Sequence, residues 1–222
     1  MAVTHRTPAV TVAPAPRAGR LTGGGTTGNE RLTTSTGAVL LVLLAVIGLT
    51  LLQLRQLLSV HMFVGMLLIG PVALKLGSAG YRFVRYYARS PAYRHEGPPA
   101  AALRAIAPIV VLSTIVVLAT GVALLFAGPS SRDTLLPIHK DSFIVWVVFT
   151  GLHVLAYLPR IPAALRADYG RSAQLSSDVT GHTGRVLALA GALIAGVVLA
   201  VLVVPEFGAW IHDAGLFHHH GG

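Results

Sequence analysis

Five long apolar stretches divide the chain, at approximately Gly37–Leu54, Leu57–Gly77, Ile106–Ala127, Leu136–Leu158 and Val186–Val204. Each is close to the ~20 residues a helix needs to cross ~30 Å of hydrocarbon. None alternates polar and apolar residues as the strands of a membrane barrel do. The pattern therefore predicts an all-α membrane protein, an antiparallel bundle of five transmembrane helices over residues 37–204. Breakers fall between the stretches, at Gly128-Pro129, Pro159, Pro162 and Pro205. Pro71 lies inside the second, which a membrane helix tolerates if a neighbour satisfies the carbonyl it frees. Residues 1–36 are Ala, Pro, Thr and Gly with scattered Arg, and read as a disordered tail. They hold no apolar core near residue 10 and so do not read as a secretory signal. Residues 205–222 form a second tail, rich in histidine.

Composition agrees with this division. Hydrophobic residues make up 54% of the chain and charged residues 11%, and the mean hydropathy is +0.70. A soluble globule carries roughly 25% charge, so a soluble enzyme or a cytosolic nucleic-acid binder is not expected despite the net charge of +9. The charge instead sets an orientation. With the N-terminus cytoplasmic, 14 of the 17 basic residues fall inside, and only Arg55, Arg132 and Lys140 fall outside. The expectation is a multi-pass cell-membrane protein with an extracytoplasmic C-terminus. Tyr81, Phe83, Tyr86 and Tyr87 interleave with Arg82 and Arg85 as an interfacial anchor on the inner side. The absence of Cys removes disulfides, thiolate metal sites, cysteine-held iron–sulfur clusters and covalently attached haem.

Ten histidines are unusual in so apolar a chain. An ionisable residue at membrane depth is a functional candidate, and His61, His139 and His153 meet that description. His139 and His153 are 14 residues apart, which on a helix is about 21 Å of rise and within ~40° of a common face. Two stacked haems need ligands so placed. His61 enters the second stretch from the outside, at about the depth of His139, so the two imidazoles could hold one iron from opposite faces. Gly65, one turn beyond His61, and Gly151, beside His153, leave room for a flat ring. Arg55, Lys140 and Arg132 are cations near that outer layer and candidate partners for haem propionates, or else they snorkel to the headgroups. Trp146 lies midway between His139 and His153, either between two cofactor layers or in ordinary packing. His212 and His218–His220 could bind a divalent metal weakly at the outer tail, or be an idle terminus. Gly23–Gly28 has neither a strand before it nor a Lys-Ser/Thr after it, so it is no nucleotide loop.

The run Leu57–Gly65 (LLSVHMFVG) and the run His139–His153 (HKDSFIVWVVFTGLH) resemble the second and fourth helices of bacterial membrane cytochrome b subunits, those of the formate dehydrogenase gamma and nickel-hydrogenase type. The resemblance covers about residues 30–160. It implies stacked b-haems, with His61 pairing with His139 in the outer layer and His153 serving the inner one. The family's first helix supplies the remaining inner ligand, in a context like Arg-Leu-Thr-His. This chain reads Arg31-Leu32-Thr33-Thr34, so the inner site is vacant, altered or completed by His182. The implied function is a b-type cytochrome electron-transfer subunit, with one haem b expected and a second open. It works in a lipid bilayer with a redox partner protein or a quinone, and not as a catalyst by itself. The alternative is a cofactor-free structural or accessory five-helix protein that has lost haem binding.

Overall fold

The computed structural model describes residues 25–90, 101–160, 162, 166 and 181–216. Its long elements are helices α1 (Gly25–Thr50), α2 (Leu54–Tyr87), α3 (Ala101–Ala127), α4 (Arg132–Tyr157), α5 (His182–Leu202) and α6 (Phe207–Leu216), with no strand among the described residues. Four stretches are long and apolar enough to cross a membrane: Gly25–Tyr87, Arg104–Ala127, Pro129–Tyr157 and His182–Leu202. Large apolar side chains such as Val42, Phe126, Ile144, Leu155 and Leu202 point outward, as hydrocarbon around a multi-pass membrane protein requires.

The first of these stretches is folded back on itself. A 3₁₀ turn at Leu51–Gln53 follows α1, Gln53 leaves helical geometry at φ −137°, and Leu57 breaks the start of α2 at φ −107°, ψ 19°. Four cross-links then run antiparallel along the hairpin, one of them from the Thr33 hydroxyl to the Ser78 hydroxyl at 2.9 Å. The Thr50 hydroxyl meets the His61 ring at 2.9 Å, the Lys75 amine donates to the Thr33 carbonyl at 2.6 Å, and the Asn29 amide donates to the Ser78 carbonyl at 3.1 Å. The polar links at the far end explain why α1 starts at Gly25 and not at 37. Residues 25–36 are too polar to register as a span, but Asn29 and Thr33 tie them to Ser78 of α2. Residues 1–24 of the expected tail lie outside the described residues.

On its other side α2 meets α5 without intervening side chains. Pro71 has no N–H for the Leu67 carbonyl one turn earlier. That oxygen sits where a Cβ on Gly196 would be, and the Ala192 carbonyl sits likewise against Gly70. Each glycine thus turns a Cα hydrogen to a carbonyl of the opposite helix, the close approach that small residues permit between membrane helices. Pro71 itself is fully buried. At one end of the bundle, Met66, Leu125, Ala200, Val203 and Phe207 form the core, with Trp210 against it. Phe207–Leu216 is therefore a helix seated on α2, α3 and α5, where the sequence reading has a tail. A 3₁₀ turn with Pro205 in its first turn re-aims the chain after α5, and Phe207 supplies the buried anchor.

Helix α4 is different. It lies along α3, has no comparable contact with α1, α2 or α5, and contains no buried residue.

Candidate functional site

The sequence-derived histidines lie on the two helices that flank this loosely packed side. His61 is on α2, and His139 and His153 are on α4; all three are half-buried. His61 and His139 are close enough that a charge on one is felt by the other.

Neighbouring hydroxyls bear on the state of the His61 and His139 rings. Thr50 has a single hydroxyl hydrogen, and it goes to the Ile47 carbonyl at 2.5 Å. In the 2.9 Å contact with His61 the threonine oxygen must then accept, so Nδ1 carries the proton. The same logic holds at the other ring. Thr120 donates to the Val116 carbonyl at 2.7 Å, and its oxygen lies 3.1 Å from His139 Nδ1. With both hydroxyl hydrogens directed to helix carbonyls, each contact is satisfied by the tautomer whose Nε2 keeps its lone pair. A protein acceptor on Nδ1 and a bare Nε2 is the arrangement of a metal-ligating histidine, because the outer bond fixes ring orientation and raises ligand basicity. Gly121 contributes space, since a Cβ there would come within 3.2 Å of His139 Cε1.

His153 has no such anchor. His153 Nδ1 is buried without a hydrogen-bond partner, as is the Thr150 hydroxyl on the preceding turn. The ring leans on Tyr157, with centroids 4.8 Å apart. Its charged neighbour is Lys75 of α2, which the sequence reading placed among the inner basic residues and not in a site. Lys75 is 14 residues beyond His61, the same interval that separates His139 from His153. That matched spacing was the available signal. Thr50 and Thr120 had none, being ordinary hydroxyls in apolar helices.

The remaining candidates are scattered. Gly65 faces only the Ile47 side chain, at 3.8 Å, and Gly151 faces open space. Arg55 and Lys140 are exposed. Lys140 shares an open concavity of about 330 Å3 with Arg132, Asp133, Leu136, Pro137 and Asp141, so the outer cations of α4 sit among acids of the same helix. Trp146 turns to α3, donating to the Thr114 hydroxyl at 2.9 Å and stacking on Phe143; it is interhelical packing and does not separate two layers. His182 begins α5 and is half-buried. His212 is exposed on α6, while His218–His220 lie outside the described residues. No group of three or more histidine and carboxylate side chains converges among the described residues.

No protein-family model, curated protein or solved structure matches the chain.

Proposed function

We propose that this chain is a b-type cytochrome electron-transfer subunit of the membrane cytochrome b kind, with a haem held between α2 and α4 by His61 and His139. The observation that carries the reading is a pair of like contacts: two half-buried imidazoles on different helices, each with Nδ1 within hydrogen-bond distance of a threonine hydroxyl, at 2.9 and 3.1 Å, which leaves Nε2 as the nitrogen for a metal. The loose packing of α4 against α2 is compatible with a flat group between them. Haem bound there supplies one-electron redox chemistry, tuned by its two ligands and by burial. The residues of the chain do the rest. Thr50 and Thr120 orient the rings, Gly121 lets one ring lie against backbone, and Arg55 and Lys140 are cations available to propionates near the outer surface. In this reading the α1–α2 hairpin divides the first of the four apolar stretches into two crossings, and the excess of basic residues on the expected inner side supports a cytoplasmic N-terminus. Electrons then pass between a redox partner protein or quinone and the haem.

One observation favours a second reading. Each outer histidine is already hydrogen-bonded across a helix pair, as polar residues that merely join membrane helices are. On that reading the chain is a cofactor-free accessory subunit. Purification from haem-replete cells followed by a reduced-minus-oxidised spectrum separates the two. The cytochrome reading expects haem absorbance in the isolated protein; a colourless product that also fails to take up added haem would leave only the accessory role.

A further inference from the structure

We propose that α6 is a clamp that sets the distance between His61 and His139, with Phe207 as its positioning residue; this rests on the cytochrome reading above. The two rings belong to different parts of the bundle. His61 is on α2, which is tied to α1 through Thr50 and meets α5 at Gly70 and Gly196. His139 is on α4, which packs along α3, and its ring lies against Thr120 and Gly121 of that helix. Because α4 has no comparable contact with α2, the gap between the rings depends on how the α3–α4 hairpin is attached to the rest of the bundle.

Helix α6 sits at that attachment. It touches α2 and also the Pro129–Ser131 turn that joins α3 to α4. Phe207 and Trp210, three residues apart, share one helix face, while Ala209, Ile211 and His212 are exposed. Phe207 is 4% exposed, in the cluster that brings together Met66 of α2, Leu125 of α3, Ala200 of α5 and Val203 at the end of α5. Met62 and Val122 pack against the same cluster. Met62 follows His61 on α2, and Val122 follows Gly121, whose missing Cβ makes room for the His139 ring. Successive side chains of a helix point about 100° apart, so this join stands beside the two rings and leaves their own direction to a ligand. At about 15 Å, α6 is too short to cross the bilayer. Its place across the ends of both helix groups instead holds them at a fixed spacing. Two ligands of one metal must be held to within about 0.5 Å by packed neighbours, and Phe207 is the side chain that α6 places where α2, α3 and α5 meet.

The experiment is an absorption spectrum with a haem-transfer assay on the full chain purified from haem-replete cells. The wild type is expected to be low-spin, with both axial positions filled and no response to added imidazole. Phe207→Ala is expected to release haem roughly 10-fold faster and to show a high-spin fraction, because one ring no longer reaches the iron. Added imidazole should return that fraction to low-spin, a response that a merely structural phenylalanine would not produce. Phe207→Leu, which keeps most of the volume, should stay close to wild type. If Phe207→Ala does not fold, Trp210→Ala, which trims the edge of the same cluster, is read in the same way. A folded chain of either alanine variant with wild-type spin state and haem release would overturn the clamp and leave the His61–His139 site standing. A wild type with no haem would remove both.

Discussion

Helix α2 shows two faces with opposite packing. Toward α5 it is dry and close, with Gly70 and Gly196 letting the carbonyls of Ala192 and Leu67 occupy the space of missing side chains. Toward α4 the packing is loose, His61 is half-buried, and α4 itself has no buried residue at all. Lipid tails are as apolar as leucine, so apolar side chains gain little by leaving lipid for a neighbouring helix. Close contact must come from small residues, and the α5 side has them. The α4 side has polar groups with free valences, which is where a cofactor can be held.

Substitutions can break either half of this contrast. The largest effect is expected at Gly196. Gly196→Leu drives a side chain into the Leu67 carbonyl and should destabilise the bundle by about 3 kcal/mol or more, read as loss of monodisperse protein in detergent. Gly151→Leu, on the open side, should leave thermal stability within about 0.5 kcal/mol of wild type. Next come the threonines that fix the tautomers. Thr50→Val and Thr120→Val should each weaken haem affinity on the order of 10- to 100-fold while the helices stay folded, measured by haem transfer to a competing acceptor. Trp146→Phe removes one interhelical hydrogen bond on the α3 side and should cost about 0.6 kcal/mol without altering any haem signal, a comparison of unfolding midpoints and spectra. The smallest change is expected for Lys140→Gln. Its side chain is exposed beside Asp133 and Asp141, so losing one propionate contact at that surface should cost haem affinity no more than about fivefold, too little to change the ratio in a stoichiometry assay.

The helices were legible in the sequence because length and hydropathy alone decide whether a segment can lie in hydrocarbon. Their ends were less so. Hydropathy is blind to the hydrogen bonds by which Asn29 and Thr33 extend α1 back to Gly25. It is equally blind to the single buried ring, Phe207, that turns the expected outer tail into α6. In the site, histidine stood out because it is rare at depth, and the 14-residue interval identified its face. Thr50 and Thr120 were invisible, since a hydroxyl that bonds its own helix looks the same in sequence whether or not it also receives an imidazole proton. Lys75 was hidden for a different reason. A lysine at the end of a span satisfies the topology rule, and only the fold shows its amine turned to the Thr33 carbonyl of α1 and not out of the bundle.

The central claim is that His61 and His139 serve one iron, and paired substitution tests it most directly. Reduced-minus-oxidised spectra of His61→Ala and of His139→Ala, each compared with wild type, should lose the same haem component to the same extent. Loss of different components, or spectra that match wild type in both variants, would contradict it.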